Sequence, residues 1–305
     1  MSNILYISCH SVLEYDELKL LTSLGHSIFS VGSYFDPQNP GELIRPPLRL
    51  HQDPEWRDLF YKTGCTFDRL SKEFLSRFDV IIAMHGHKFL ENNIKNMDKR
   101  TRTFWRGIGQ STSVIEQKLK ILKAKGIKLI RYSPLEAKTA NYAGEDYLIR
   151  FCKKAEEFKG SDKRNGNGFI CYNAIRQRQA FNDWNESKTF IETRGFDVFG
   201  ASNDGLKNHK GFLSSEKQLN LFKTYSSVFC LSSYPAPYTL GFIEAVMSDC
   251  EIFINKNGKE FDERFGFGLL YKQVGENIWS FRADENLRKI FSEREAKIAW
   301  SKMLD

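Results

Sequence analysis

Phe78-Asp79-Val80-Ile81-Ile82-Ala83-Met84 is apolar nearly throughout. A strand with one face in water alternates apolar and polar residues, whereas a continuous apolar run marks a parallel strand covered by helices on both faces. Parallel neighbours need crossover connections, so helical segments should lie on either side of this run. Upstream, Ile4-Leu5-Tyr6-Ile7-Ser8 reads as a first strand. Leu13 to Leu24 carries apolar residues at helical spacing and stops at Gly25, and Ser27 to Val31 reads as a second strand. Downstream, Thr103-Phe104-Trp105 and Ile127-Lys128-Leu129-Ile130 read as strands, with the helix Thr112 to Ala124 between them. This is the pattern of a βαβ-type parallel sheet.

The pattern breaks at Lys159-Gly160-Ser161-Asp162-Lys163-Arg164-Asn165-Gly166-Asn167-Gly168, which holds no apolar residue and reads as a linker or long exposed loop. After it the alternation restarts. Phe169 to Tyr172, Phe196 to Gly200, Ser227 to Leu231 and Glu251 to Ile254 are strand-like; Ala180 to Thr193, a segment from Ser214, and Tyr238 to Met247 are helical. Asp284 to Met303 reads as one amphipathic helix. The expected fold is α/β, with two Rossmann-like domains facing each other across a cleft. The expected boundaries are 1–158, a linker at 159–168, a second domain at 169–283, and a helix at 284–305 that packs back on the first domain. Ligands in such sheets bind at the carboxyl ends of the strands, and a cleft between two sheets is a common substrate site.

Length and composition agree with two domains: 305 residues are comfortable for two cores, and 41% of them are apolar. No apolar stretch is long enough to span a membrane, and Met1-Ser2-Asn3 runs into the first strand without the features of a signal peptide. Six scattered cysteines, without a Cys-x-x-Cys pair, read as reduced and buried thiols. A cytoplasmic protein is therefore expected, with peripheral association at a membrane or on DNA left open by its charge. The net charge is +7, yet Lys88 to Arg131 alone holds twelve Lys and Arg against Glu91, Asp98 and Glu116. Such a field favours an anionic partner: modified DNA, an acidic glycan or a membrane surface. The plainer reading of Lys118 to Lys128 is a solvated helix face.

Chemistry concentrates at Ser232-Ser233-Tyr234-Pro235-Ala236-Pro237-Tyr238-Thr239-Leu240-Gly241-Phe242-Ile243-Glu244-Ala245. A strand ends in small polar residues, a Pro-rich turn follows, and a helix starts near Tyr238. The free N–H groups and dipole of a helix start favour a phosphate there. A carboxylate at Glu244, about one and a half turns in, can accept two hydrogen bonds from a ribose diol; a solvated glutamate on a capped helix is the plainer alternative. A second signal is Tyr172-Asn173-Ala174-Ile175-Arg176-Gln177-Arg178, directly after a strand. Arginine is fixed in charge and binds phosphate oxygens two at a time, so Arg176 and Arg178 suit a departing diphosphate.

The segment around Glu244 resembles the donor site of GT-B glycosyltransferases, where a loop precedes a helix carrying Glu-Ala. The resemblance implies that Glu244 binds the ribose of a nucleotide sugar, UDP-linked by expectation. It also implies that Tyr238, Thr239 and Leu240 approach the donor's phosphates and sugar through backbone N–H groups. Many retaining members carry a second glutamate eight positions earlier; Ala236 stands there, so retaining chemistry is not implied. Thr239-Leu240, Glu244 and Ser248-Asp249 also resemble the inverting phage β-glucosyltransferases that act on hydroxymethylated DNA. The acceptor hydroxyl is thus expected on a glycan, a lipid-linked sugar or a hydroxymethylated DNA base.

Met84-His85-Gly86-His87 follows the apolar strand, and His10 follows the first one. A histidine titrates near neutral pH and can serve as general base toward an acceptor hydroxyl, so His85, His87 and His10 are the candidates. No Asp-x-Asp is present, so neither a metal-bound diphosphate nor any metal or cofactor is expected. A dinucleotide-binding Gly-x-Gly-x-x-Gly and a Gly-Lys-Ser/Thr phosphate loop are also missing. Two alternatives stay open: an epimerase or hydrolase of the same fold, and a non-catalytic nucleotide-sugar-binding protein.

Overall fold

The computed structural model describes residues 1–35, 53–109, 111–160, 164–173, 175, 184–231, 240–255 and 270–305. The chain forms two compact units, Met1–Arg150 together with Ala296–Asp305, and Phe151–Glu295.

In the first unit the described strands are β1 (Asn3–Ile7), β2 (Ser27–Val31), β3 (Val80–Met84), β4 (Arg102–Arg106), β5 (Lys128–Arg131) and β6 (Tyr147–Leu148). They form one sheet in the order β2-β1-β3-β4-β5-β6. Every pairing is parallel, Ile4 standing opposite both Ile28 and Val80. All five residues of β3 are buried, as a strand near the middle of a doubly covered sheet requires. Helices α1 (Ser11–Ser23), α2 (Pro54–Lys62), α3 (Lys72–Leu75), α4 (His87–Asn93) and α5 (Ser113–Ala124) accompany the strands. The core is aromatic on one side: Phe29 meets Phe74 edge-on with ring centroids 5.7 Å apart, and Phe60 meets Phe74 at 5.4 Å.

The second unit holds α6 (Ala155–Phe158), β7 (Asn165–Cys171), α7 (Trp184–Arg194), β8 (Asp197–Phe199), β9 (His209–Gly211), α8 (Ser215–Thr224), β10 (Tyr225–Cys230), α9 (Leu240–Met247), β11 (Glu251–Asn255), β12 (Lys272–Gln273) and β13 (Ile278–Phe281). Its sheet runs β12-β13-β11-β10-β7-β8-β9, parallel from β11 to β9 and antiparallel where β13 joins β11. Both units are therefore Rossmann-like α/β domains.

Two local readings change. Asn165–Gly168, polar enough to suggest a linker, form the first half of β7, where their backbone pairs with β10. Polar composition marks exposure at a strand's start as well as it marks a loop. The tail is two helices, α10 (Glu285–Ile290) and α11 (Glu293–Leu304). They part at Phe291, a fully buried ring whose carbonyl accepts the Lys153 N–H at 3.1 Å, while Ser292 bridges to Lys153. Backbone groups committed there to a neighbouring segment cannot continue a helix.

Candidate functional site

In the second unit the chain leaves β7 toward β8 on one side and later returns as β10 on the other. Connections diverge at the carboxyl ends of β7 and β10, which is where open α/β sheets bind ligands. The loop toward Arg176 and Arg178 leaves β7, and the Pro-rich turn leaves β10. Arg176, Arg178, Tyr238 and Thr239 lie outside the described residues. Their anchors do not. Asn203, fully buried, donates from Nδ2 to the Tyr172 carbonyl at 2.6 Å and accepts the Ile175 N–H on Oδ1 at 3.0 Å. Asn173 Oδ1 accepts the Ala201 N–H at 2.8 Å. At Gly200 φ is +121°, and an added Cβ would collide with the Tyr172 carbonyl; only glycine allows that backbone so close. The loop after β7 is thus pinned to the end of β8.

Leu240 opens the described part of α9, and Glu244 is the fifth residue of that helix. Its neighbours Phe242, Ile243, Ala245 and Val246 are buried and fix the helix on the sheet, which leaves the Glu244 side chain 17% exposed. Glu244 Oε1 lies 3.2 Å from Nζ of Lys153, itself 3% exposed. No motif points to Lys153, which stands between Cys152 and Lys154 in a stretch without periodicity. Asn203 was better signposted, because Ser202-Asn203-Asp204-Gly205 has turn composition. Burial, followed by the charge of Glu244, raises the Cys171 thiol to about 12. Burial also raises the Cys230 thiol, with Cys250 and Glu244 adding to it. Both stay protonated, so neither is a nucleophile at neutral pH. The six cysteines are thiols rather than disulfides; Cys9 is exposed, against the expectation of burial, because it lies in the loop after β1 rather than in the strand.

In the first unit the divergence lies between β1 and β3, and the three histidines follow these two strands. The loops touch: the Cys9 thiol donates to the Met84 carbonyl at 3.6 Å. His10 caps α1, its Nδ1 accepting the Leu13 N–H at 3.4 Å. That ring nitrogen is engaged as an acceptor, which weakens His10 as a base. His85 has φ +54° and donates its N–H to the Arg106 carbonyl at 2.9 Å. Positive φ is uncommon for a residue with a side chain and costs conformational energy. Nδ1 of His85 and Nδ1 of His87 are buried without a hydrogen-bond partner among the described residues. Burial, then the neighbouring His87, lowers His85; burial lowers His87 as well, with Lys118 and Lys88 adding to it against Glu91. Both rings are neutral at pH 7 and able to accept a proton.

The basic run divides by position. Arg106 and Arg131 are fully buried. Arg106 pairs with Glu17 at 2.7 Å, and Arg131 pairs with Glu116 at 2.8 Å and with Glu136 at 3.5 Å. These two arginines are interior charges compensated by buried acids, Glu17 far from Arg106 in sequence and Glu116 and Glu136 near Arg131. Lys99 and Arg100 precede β4, and Lys125 and Lys128 lie at the start of β5, so they mark the amino-terminal edge of the sheet. The histidines occupy the opposite, carboxyl-terminal edge. Lys88 and Lys118 are the members whose charge reaches His87. Among the described residues no group of three or more acids, histidines and cysteines is placed to hold a metal, and no helix is long and apolar enough to cross a membrane.

No protein-family model matches the sequence, and no curated protein is similar to it. Several solved structures are similar to the chain. The glycosyltransferase of kitacinnamycin shares 10% identity over 100% of this chain and 99% of that one, with a TM-score of 0.48. The glycosyltransferase SnogD from Streptomyces nogalater shares 11% over 99% and 95%, with a TM-score of 0.40. An O-GlcNAc transferase variant from Thermobaculum terrenum shares 9% over 97% of this chain and 58% of that one, with a TM-score of 0.49.

Proposed function

We propose that this chain is a GT-B glycosyltransferase that moves a sugar from a nucleotide-sugar donor, UDP-linked, to an acceptor hydroxyl. One observation carries the reading: both donor-type motifs leave adjacent parallel strands, β7 and β10, at the topological switch point of one sheet. The second unit binds the donor. Glu244 accepts hydrogen bonds from the ribose diol, and Tyr238, Thr239 and Leu240 offer backbone N–H groups to the diphosphate and sugar.

The acceptor oxygen attacks the anomeric carbon. The carbon–oxygen bond to the diphosphate breaks, and the leaving group takes the electron pair. Arg176 and Arg178 stabilise that growing charge. The acceptor's proton passes to a histidine at the first unit's switch point; His85 and His87, neutral and with an uncommitted buried Nδ1 among the described residues, suit this better than the capping His10. The exposed basic residues at the amino-terminal edge are remote from those histidines, which favours a glycan or lipid-linked hydroxyl over DNA bound through Lys99, Arg100 and Arg102. The test is thermal shift against a panel of nucleotides and nucleotide sugars, followed by assay of nucleoside diphosphate release with and without acceptors. A protein that binds no nucleotide would end the proposal, and binding without turnover on any acceptor would reduce it to a binding protein.

A further inference from the structure

Lys153 presents an unusual combination: an ammonium group 3% exposed, in a segment of no regular structure, 3.2 Å from a carboxylate on α9. Buried lysine is costly unless paired, so its backbone must be held as firmly as its charge. It is held. The Lys153 N–H bonds to the Phe291 carbonyl at 3.1 Å and the residue bridges to Ser292. The flanking packing is also tight, with Phe151 and Phe158 both buried. A flexible surface lysine would find glutamates by chance; this one is built into place against Glu244.

The consequence follows from the geometry of a carboxylate. Glu244 has two oxygens, and a cation 3.2 Å from Oε1 restricts how the group can turn. A ribose presents two adjacent hydroxyl donors, which a carboxylate binds well only when its orientation is set. We propose that Lys153 is a positioning residue for nucleotide recognition: it holds the Glu244 carboxylate in the orientation that reads the ribose diol. This rests on the donor-site reading above and adds to it a residue that no donor motif contains.

The experiment compares UDP with 2′-deoxy-UDP by calorimetry on the full chain, for wild type, Lys153→Met, Lys153→Arg, Glu244→Ala and the pair Lys153→Met with Glu244→Ala. Removing one hydroxyl removes one of the two bonds to Glu244. The wild type should prefer UDP by roughly tenfold, the worth of one hydrogen bond to a charged group. Lys153→Met should lose most of that preference while binding 2′-deoxy-UDP nearly as the wild type does. Lys153→Arg should retain it. The pair should lose no more than Glu244→Ala alone, since the two residues act through one contact. A general loosening of the fold would weaken both nucleotides alike and leave their ratio unchanged, which overturns the proposal. A Lys153→Met protein that keeps the full preference also overturns it while leaving Glu244 in the donor site. A wild type that binds UDP with no preference instead removes Glu244 from the ribose, and the donor-site reading fails with it. Should Lys153→Met fail to fold, Lys153→Arg carries the test with Lys153→Gln, and equal ratios in all three proteins overturn the proposal.

Discussion

Arg131 and Glu116 face each other as a two-point ion pair, Nη1 to Oε1 and Nη2 to Oε2 at 2.8 Å each, with both side chains inaccessible to solvent. Burial opposes the charge on Glu116, yet the hydrogen bonds and charge of Arg131 bring its carboxyl below the ordinary value. Glu116 also accepts the Ala143 N–H at 2.8 Å, so the pair ties α5 to the segment before β6. Glu116→Ala leaves the guanidinium with Glu136 as its remaining acid and should destabilise the protein by about 3–5 kcal/mol. Replacing both partners with apolar residues of similar volume should cost much less. Denaturant unfolding of the single and double variants checks this, and a double variant as unstable as Glu116→Ala would refute the argument.

Glu244→Ala removes a charged acceptor from the proposed donor site without touching the apolar buried face of α9. Nucleotide affinity should fall about ten- to a hundredfold, or about 1.5–3 kcal/mol, and the unfolding transition should move down as well, because the variant also takes away the carboxylate paired with the buried Lys153. Calorimetry showing unchanged affinity would take Glu244 out of the site.

Arg176→Ala and Arg178→Ala test the leaving-group role. A cation that serves the departing diphosphate contributes more in the transition state than in the bound donor, so kcat should fall along with donor affinity in at least one variant. Full activity in both singles and in the double would dismiss the assignment.

The sheets were legible because a strand such as Val80–Met84 needs only its own apolar run to declare itself, and the switch-point loops follow once strand order is known. Charge was less legible. Arg106 and Arg131 count as basic in sequence, but they sit at the ends of β4 and β5 and are matched by Glu17, Glu116 and Glu136. A residue-by-residue sum cannot see a pairing across 89 positions, as between Glu17 and Arg106. The same holds for Lys153 and Asn203, whose roles come from what they touch. His10 shows the converse: a residue type that invites a catalytic reading spends its ring nitrogen on the start of α1.

The histidine assignment predicts a pH profile. His85 and His87 are both lowered from the ordinary 6.5, first by burial. A base must be unprotonated, so kcat/KM should hold down to about pH 6.5 and fall below it, at a lower pH than an ordinary histidine would set. The sign for stability agrees: below 6.5 the unfolded chain binds protons that these buried rings resist, so stability drops as pH falls through their lowered values. Removing the true base should reduce turnover about 10²- to 10⁴-fold and abolish the acid limb. Retained turnover with an unchanged profile in both His85→Ala and His87→Ala would exclude the pair.

The last prediction follows from where the exposed basic residues stand. Lys99 and Arg100 precede β4, so they lie at the amino-terminal edge of a sheet whose candidate base occupies the carboxyl-terminal edge. Arg100 pairs with the neighbouring Asp98 at 3.5 Å with its own side chain 93% exposed, and such a contact adds little to stability. Charge reversal of both, Lys99→Glu with Arg100→Glu, should therefore leave folding, UDP affinity and turnover on a small acceptor unchanged. Its effect is reserved for any polyanion that the edge holds. Binding to plain and hydroxymethylated duplex is measured from low to high salt; where it occurs, the variant should weaken it equally for both and flatten its salt dependence, because phosphate contacts release counterions without reading bases. Loss of turnover on a small uncharged acceptor would show instead that the amino-terminal edge takes part in the reaction, and would place the acceptor at the end of the sheet away from His85 and His87.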